Sequence, residues 1–259
     1  MEIVEIDRQR VGHHETLLNL CFPASKLNRS YLEWLYFANP LGGVVGFDAI
    51  DGDVLAAHYA CIPTRIGDSI GLLSLNTATH PDYRSKGLYQ KLARMTYERW
   101  SNEFNFVVGV ANDQSASVFV KRLGFTEIGS LNLRFGSLIR PTSGARSWSQ
   151  AELNWRVSSP RQQLEKKLVL DGLVELSMRP KNLPFKIKSI IPIQDTGLAG
   201  VEQLKERKHG FTVDWIRDSK SQIRLPERLK PSPLVMIYQT LNGSDTEINS
   251  WSFPDFDAF

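Results

Sequence analysis

Apolar and polar positions along the first 140 residues alternate between the period of a strand and that of a helix. Residues 1–6, MEIVEI, alternate apolar and charged side chains as a half-buried strand does, and His13 to Leu20 carries apolar residues at helical spacing. Tyr31 to Ala38 is predicted as a second short helix, which Ser30 can cap and an Asn-Pro pair ends. The chain is therefore expected to begin with one strand and two helices.

The following segments predict an antiparallel meander and then a strand–helix–strand crossover. Gly43 to Ile50, Val54 to Arg65 and Gly71 to Thr79 have strand patterns and are separated by turns that contain Asp and Gly. The later segments are helix Gly87 to Trp100, strand Phe106 to Val110, helix Ser115 to Leu123 and strand Thr126 to Phe135, which closes the unit. This order, β α α β β β α β α β, indicates a mixed α/β domain with a mostly antiparallel sheet.

A change in composition predicts a second unit. Pro141 to Ser149 is rich in Ser, Gly and Pro, so residues 1–140 are predicted as the first domain, 141–150 as a linker and 151–259 as a smaller α/β unit. The halves also share a weak pattern, in which Leu32, Trp34, Pro40 and Asp51-Gly52 match Leu153, Trp155, Pro160 and Asp171-Gly172. The second unit is therefore hypothesised to be a degenerate repeat of half of the first.

Composition and charge exclude several classes of partner. Apolar residues make up 42% and charged residues 23% of the 259 residues, as in a soluble globular protein. The net charge of +3 is too small to indicate a protein that coats nucleic acid or that binds membranes through a polybasic anchor. The chain opens without a signal-peptide pattern and has no apolar run of the ~20 residues that span a bilayer, so a cytoplasmic location is predicted. Cys21 and Cys61 are expected to be reduced core thiols, and no residue spacing indicates a metal site.

A basic turn before the third predicted helix has the features of an anion site. The segment from Thr77 to Tyr89 runs from a strand through Arg84, Ser85, Lys86 and Gly87 into the helix. The first turn of a helix leaves backbone N–H groups unpaired at the positive end of the helix dipole, where a pyrophosphate can bind. The basic side chains add charge there, and the glycine lets the backbone approach a ligand. By itself, this element also fits a solvated turn before an ordinary helix.

Together with a second segment, this turn resembles the acyl-CoA site of the GNAT (Gcn5-related N-acetyltransferase) family. Arg84-Ser85-Lys86-Gly87 is similar to the family's Q/R-x-x-G-x-G/A motif, and Asn112 through Leu123-Gly124-Phe125 is similar to its N…A…Y-x-K-x-G-F segment. The resemblance spans residues 3–135 and implies a sheet splayed between the fourth and fifth strands, where acetyl-CoA binds as co-substrate. The residues it implies in cofactor binding are Ala78, Thr79, Arg84, Ser85, Lys86, Gly87, Leu88, Tyr89, Asn112 and Phe119.

Two positions depart from the family's pattern. Tyr89 stands where the first motif has its last small residue, which the site tolerates if the side chain points away from the phosphates. Val120, beside Phe119, stands where many members carry the tyrosine that protonates the leaving thiolate. The general acid is therefore not identified.

The general base is also left open. The resemblance implies direct attack of an amine or hydroxyl on the thioester carbonyl, with a base near the fourth strand. That strand, Leu72 to Thr79, lacks Asp and Glu, so Ser74, Asn76 or His80 could at most hold a water. A His-Pro pair at a strand end is more often turn structure. His58 on the neighbouring strand is more often a structural residue, and His14 is predicted at the surface.

Aromatic residues and the C-terminal tail offer further candidates. Tyr31 and Tyr36 lie where the family forms its acceptor wall, but aromatics at helical spacing indicate first of all a core. The tail from Trp251 to Phe259 alternates aromatic and acidic residues and could bring Asp255 or Asp257 into the groove. Packing of the tail on the second unit is the favoured interpretation.

The predicted function is acetyl-CoA-dependent N-acetyl transfer to a small-molecule amine, such as an amino sugar or amino acid derivative, because the second unit is expected to complete or cover the acceptor groove. A peptide or protein N-acetyltransferase is one alternative, and a GNAT-like acyl-CoA-binding module without catalysis is the other. No nucleic-acid or membrane partner is expected, and the chain is predicted to be a monomer or a homodimer.

Overall fold

The structure is a computed structural model that describes residues 1–138, 144–146, 148–170, 172–181, 183–193, 209–217, 222–226, 234–243 and 246–256. The helices are α1 (Val11–Cys21), α2 (Arg29–Phe37), α3 (Leu88–Trp100), α4 (Asp113–Leu123) and α5 (Gln150–Val157). The strands are β1 (Glu2–Glu5), β2 (Val45–Asp51), β3 (Val54–Ile66), β4 (Ser69–Thr79), β5 (Phe106–Ala111), β6 (Thr126–Ser137), β7 (Glu165–Leu170), β8 (Leu173–Met178), β9 (Ile187–Pro192), β10 (His209–Ile216), β11 (Gln222–Arg224), β12 (Leu234–Thr240) and β13 (Ser250–Ser252).

The first ten elements follow the order that the hydrophobic pattern predicts. One sheet of mixed direction has apolar side chains on both faces, as the alternation along β3 shows: Ala60 and Ile62 pack with α1 and α2, and Tyr59 and Cys61 pack with α3. Cys61 is buried, and both it and Cys21 are free thiols, as predicted. The mixed α/β class is therefore confirmed.

β4 and β5 form a notch because they pair over only part of their length. Their parallel pairing joins Leu72–Ser74 to Val107–Gly109 and stops there. Beyond this point β4 bulges away from its other neighbour β3, where the register shifts between His58 and Ala60. Asn76 lies in the bulge with φ of 49°, a left-handed conformation that a non-glycine residue adopts only when its surroundings favour it. The predicted splay between the fourth and fifth strands is confirmed.

The expectation that Thr126 to Phe135 closes the first unit is wrong. The strand order is β1-β2-β3-β4-β5-β12-β6-β10-β9-β8-β7, so β12 of the C-terminal half lies between β5 and β6. β12 pairs antiparallel with both neighbours, through Met236 opposite Val110 on one side and Gly129 on the other. Hydrogen bonding of the sheet therefore continues across the predicted linker at 141–150, and the division into two units there stays a prediction.

The strand order has an internal symmetry. β2, β3 and β4 form an antiparallel meander followed by parallel β5, and β7, β8 and β9 form an antiparallel meander followed by parallel β10. The strand next to β5 is β12, from the C-terminal half, and the strand next to β10 is β6, from the N-terminal half. The two halves thus repeat one topology and exchange a strand, which supports the half-repeat seen in the sequence.

The C-terminal tail packs on the second half. β13 pairs with β10 through Asp214 opposite Ser252, on the edge of β10 that also faces β9. The Ser252 Oγ lies 3.1 Å from the Ser189 Oγ of β9. Asp255 is fully buried and accepts a hydrogen bond from the Trp148 indole, so it does not reach the notch between β4 and β5. The favoured interpretation of the tail is correct for these residues, and Asp257 lies outside the described residues.

None of the described helices has the length and hydrophobicity needed to cross a membrane.

Candidate functional site

A cavity of about 390 Å³ occupies the notch between β4 and β5. Its lining comes from both splayed strands, from the start of α3, from α4 and from β12. The lining residues are Phe22, Ser74, Leu75, Asn76, Thr77, Ala78, Thr79, Tyr89, Gly109, Val110, Ala111, Asn112, Ser115, Val118, Phe119 and Ile237. Five of the predicted cofactor residues are therefore in one place: Ala78, Thr79, Tyr89, Asn112 and Phe119.

The predicted anion site lies at the N-terminus of α3. Gly87 occupies the N-cap position with φ of 70°, and no side chain caps the helix there. A Cβ added to Gly87 meets no protein atom within 4 Å, so the backbone faces open space where a phosphate can approach. Arg84, Ser85 and Lys86 are exposed beside it, and the Lys86 ammonium lies 4.5 Å from the centre of the Tyr83 ring. Leu88 is buried, so only its backbone can serve a ligand.

Tyr89 points into the protein and not toward solvent. Its ring centre lies 6.0 Å from that of Tyr59 and 5.5 Å from that of Phe119. The hydroxyl is buried and has no hydrogen-bond partner among the described residues. Burial also raises the pKa of Tyr89, so the group stays protonated and remains a donor at the cavity wall. An unpartnered buried donor of this kind fits a site that is completed by a polar ligand.

Asn112 combines a structural role with a free donor. As the N-cap of α4, its Oδ1 accepts hydrogen bonds from the backbone N–H and the hydroxyl of Ser115, both at 2.9 Å. The cap fixes the carboxamide and leaves the Nδ2 group for another partner. This arrangement suits a residue that contacts a ligand arm passing between β4 and β5.

The three candidates for holding a catalytic water are placed differently. Ser74 lines the cavity, and its hydroxyl lies 2.9 Å from the Tyr59 hydroxyl. Asn76 lines the cavity, and its Nδ2 donates to the Tyr36 hydroxyl at 3.2 Å. His80 does not line the cavity, and its Nδ1 accepts from the backbone N–H of Asp82 at 3.3 Å as the N-cap of a short 3-10 turn. The structure thus brings Asn76 to the notch and uses His80 in the turn.

A chain of buried hydrogen bonds leads inward from Asn76. The Tyr36 hydroxyl lies 2.9 Å from the His58 Nε2, and the His58 Nδ1 lies 2.7 Å from the Asp48 Oδ1. The other carboxylate oxygen of Asp48 lies 2.8 Å from the His14 Nε2. The side chains of Tyr36, His58, Asp48 and His14 are completely buried. We call these four residues the inner relay. The prediction of His14 at the surface is wrong, and His58 is the buried, hydrogen-bonded structural residue that the sequence favours.

The surroundings of the inner relay shift the pKa values of Asp48 and His14. Burial favours a raised pKa for Asp48, but the hydrogen bonds from His14 and His58 outweigh it and hold the pKa of this carboxyl below its ordinary value. Burial and the adjacent His58 ring lower the pKa of His14. The Arg10 guanidinium lies 3.4 Å from the same carboxylate and is partly exposed, which makes Arg10 the surface end of the chain. Arg10 therefore places a positive charge beside the buried carboxylate of Asp48.

His14, Asp48 and His58 also place one potential metal-ligand atom each within 4.8 Å of one another. Both carboxylate oxygens already accept an imidazole N–H, and Arg10 adds a cation beside them. Hydrogen bonding therefore accounts for the cluster as it stands.

The remaining predicted residues lie behind the cavity wall. Tyr31 and Tyr36 are both buried in α2 and do not line the cavity, although Tyr36 reaches it through Asn76. Val120, at the position where the family pattern has a tyrosine, is 37% exposed and also outside the lining. Direct contact of either tyrosine with an acceptor stays a prediction.

Sequence analysis did not assign several residues to the site, among them Asp48, His14 and Ile237. Asp48 and His14 belong to segments with unremarkable patterns, and Ile237 enters the cavity from β12, which lies far along the chain. A polar residue in the middle of an apolar strand, as in Gly46-Phe47-Asp48-Ala49-Ile50, is the signal that could have singled out Asp48.

Comparison with known proteins identifies the type of fold. No protein-family model and no curated protein sequence matches this chain. A conserved protein of unknown function from Enterococcus faecalis V583, described as a probable N-acyltransferase, matches with a TM-score of 0.56 and 8% identity over 93% of this chain and 72% of that one. A GCN5-related N-acetyltransferase from Anabaena variabilis ATCC 29413 matches with a TM-score of 0.54 and 12% identity over 93% of this chain and 73% of that one. Both matches include the C-terminal half, and they show that this chain has the fold of the GNAT N-acetyltransferases.

Proposed function

We propose that this protein is an acetyl-CoA-dependent N-acetyltransferase that acts on the amine of a small molecule, such as an amino sugar or an amino acid derivative. The observation that carries the proposal is the coincidence of the notch between β4 and β5 with the uncapped N-terminus of α3. A thin arm can lie in the notch while an anionic group contacts the helix end, which is the shape and charge of acyl-CoA.

We assign the following roles in ligand binding and catalysis to residues of the site. Backbone N–H groups from Ser85 to Tyr89 hold the pyrophosphate, whereas the Arg84 N–H donates to the Pro81 carbonyl and only the Arg84 side chain can contribute. Asn112 and the edge of β4 at Ala78 and Thr79 orient the pantetheine arm. Acetyl-CoA supplies the thioester. The amine nitrogen forms a bond to the thioester carbonyl carbon, the carbon–sulfur bond breaks, and the proton lost by the amine ends on the sulfur. The Tyr89 hydroxyl, which stays protonated, is placed to donate at the cavity wall.

The contribution of the C-terminal half to the wall of the notch favours a small acceptor. The cavity has a volume of about 390 Å³, and Ile237 from β12 forms part of its wall beside Gly109. A peptide acceptor needs an extended groove, so transfer to peptides or proteins ranks behind transfer to small amines. Binding of acyl-CoA without transfer is the remaining alternative, and Val120 in place of a tyrosine is the observation that favours it.

Thermal unfolding with and without acetyl-CoA tests the cofactor site. Ligand at a hundred times its dissociation constant stabilises a protein by about 2.7 kcal/mol, or roughly 5–10 °C for a unit of this size. We expect Gly87→Glu to remove this shift, because it places a negative charge where the pyrophosphate lies. Gly243→Glu is the matched control, since Gly243 has φ of 79° and has open space around its Cβ. It follows β12 at the end where Thr240 pairs with Phe106, which is the end of β5 opposite the notch. The absence of a shift in the folded parent would contradict the proposal.

Release of free thiol from acetyl-CoA in the presence of amines tests the reaction. We expect release with a panel of amino sugars and amino acid derivatives and much less with peptides. Faster release with peptides would favour the peptide alternative. Stabilisation by acetyl-CoA with no release in any panel would identify a binding module.

A further inference from the structure

We infer that the inner relay holds the Asn76 carboxamide in one orientation, with its Nδ2 toward Tyr36, so that its Oδ1 accepts a hydrogen bond from the N–H of the acceptor amine. The inference rests on the proposed function and names the residue that orients the acceptor. It makes Asn76 a residue that contacts substrate, and Tyr36, His58 and Asp48 positioning residues that act through it.

The direction of each hydrogen bond follows from the Asp48 carboxylate. A carboxylate only accepts, so the His58 Nδ1 that faces it at 2.7 Å carries the proton. When the ring carries only this proton, the His58 Nε2 is an acceptor, and the Tyr36 hydroxyl, 2.9 Å away, donates to it. Burial raises the pKa of Tyr36, which keeps this hydroxyl protonated. With its one proton committed to His58, the Tyr36 oxygen can only accept from Asn76.

This sequence of donors and acceptors determines which end of the carboxamide faces Tyr36. The Asn76 Nδ2 is the donor at 3.2 Å, and the Oδ1 is turned away from the relay. No described residue donates to the Oδ1, while Asn76 lines the cavity. The β4 bulge, where Asn76 has φ of 49°, places this side chain at the widening of the notch.

A hydrogen-bond acceptor at the position of the Asn76 Oδ1 would orient the attacking amine. A neutral amine attacks through its nitrogen lone pair, and an N–H bound to Oδ1 turns that lone pair toward the thioester carbonyl. The proton that the nitrogen loses does not enter the relay, because an amide oxygen is too weak a base to keep it; it ends on the thiolate that leaves. The relay therefore orients and does not exchange protons during turnover.

Substitutions at the two ends of the contact test the inference. Tyr36→Phe removes only a hydroxyl from a buried ring, and Asn76→Ala removes the carboxamide. We expect each to lower kcat/KM for the amine about tenfold, the effect of one hydrogen bond, with an unchanged Kd for acetyl-CoA. Because Tyr36 acts through Asn76, adding Tyr36→Phe to Asn76→Ala should lower activity no further. An additional loss in the double variant would overturn the inference.

A matched control separates this effect from the loss of any buried phenol. Tyr238 lies on β12, away from Asn76, and its hydroxyl accepts a hydrogen bond from the Thr246 N–H. Tyr238→Phe removes only this hydroxyl. We expect it to leave kcat/KM unchanged. A decrease as large as that of Tyr36→Phe would overturn the inference.

A readout without turnover keeps the inference independent of the proposed function. The side-chain amide signal of Asn76 in a ¹H–¹⁵N spectrum is identified by its absence in Asn76→Ala. We expect its Nδ2 protons to exchange slowly with solvent in the parent and in Tyr238→Phe, and faster in Tyr36→Phe. Equal exchange in all three proteins would overturn the assigned orientation, whereas failure of the proposed function alone appears as acetyl-CoA binding without transfer while the exchange difference remains.

Discussion

Trp34 and Trp155 form a reciprocal pair in which the indole N–H of each donates to the backbone carbonyl of the other, at 3.0 and 3.2 Å. Their rings stack with centres 4.9 Å apart and an angle of 18° between their planes. Each tryptophan is the sixth residue of its helix, α2 or α5, after an Asn28 or Ser149 cap. Equivalent residues of the two repeated halves thus contact each other about a local two-fold relationship.

This pair is expected to be energetically coupled. Trp34→Phe and Trp155→Phe each remove one indole donor and part of the stacked contact. Each carbonyl keeps a helical hydrogen bond, from the Ser158 N–H or the Ala38 N–H, so each change should lower the free energy of unfolding by about 0.5–1.5 kcal/mol. The double variant should be less destabilised than the sum of the two, by about 1 kcal/mol, because both changes break the same stacked contact. Urea unfolding measures all three values. Trp34→Phe combined with Trp215→Phe on β10 is the control, and it should be additive.

The buried His14 predicts how stability depends on pH. The unfolded chain binds a proton at His14 near pH 6.5, whereas burial and His58 lower the pKa of His14 in the folded protein. The free energy of unfolding should therefore fall as the pH is lowered from about 7 toward 5, by about 1.4 kcal/mol for each unit of the shift. Asp48, whose pKa is also lowered, should extend the loss to more acidic pH, below about 4.

Two neighbouring histidines provide the comparison for this pH effect. His14→Gln retains an N–H that can reach Asp48 and removes the titration, so the slope of stability against pH between 7 and 5 should flatten. His13→Gln changes an exposed side chain and should preserve the slope. Equal slopes in the two variants would show that His14 does not cause the dependence.

The C-terminal tail is expected to contribute to stability. Phe253 is 1% exposed within the core shared with Trp251 and Phe256. Phe253→Ala should lower the free energy of unfolding by about 3–5 kcal/mol, since a large buried ring is replaced by a cavity. Ile223→Ala on β11, where the side chain is 70% exposed, should change it by less than about 0.5 kcal/mol. A small effect of Phe253→Ala in urea unfolding would contradict the described packing of the tail.

The chain should bind one molecule of acetyl-CoA, although its topology repeats. In the second half, β9 and β10 correspond to β4 and β5, and β13 pairs with the edge of β10 that faces β9. The backbone of Asp214 there is paired with Ser252, so the position that corresponds to the ligand notch is filled by the chain itself. Calorimetric titration should give a stoichiometry of one, and a value of two would contradict this assignment.

Local patterns in the sequence predicted the order of the first ten elements and the strand–turn–helix around Gly87. These features depend on neighbours within a few residues, where spacing and capping rules apply. The repeat of Leu-x-Trp predicted the relation between α2 and α5 for the same reason.

The inner relay could not be predicted because it depends on a β-bulge. A regular hairpin in which Asp51 faces Val54 would pair Asp48 with Ala57. The register shift between Ala49 and Ile50 moves the pairing by one residue and brings Asp48 opposite His58. Local rules also could not predict the position of β12. A strand that lies between β5 and β6 is placed there by contacts between residues far apart in the chain.

The strand exchange makes this single chain equivalent to a domain-swapped dimer. β12 is hydrogen-bonded to β5 and β6, and β6 to β10, so removing either half would leave an open sheet edge in the other. The tail fills the position of the notch in the second half, but the first half still needs the second half to complete its sheet. Any change that moves β12 also moves Ile237, and with it a wall of the cavity.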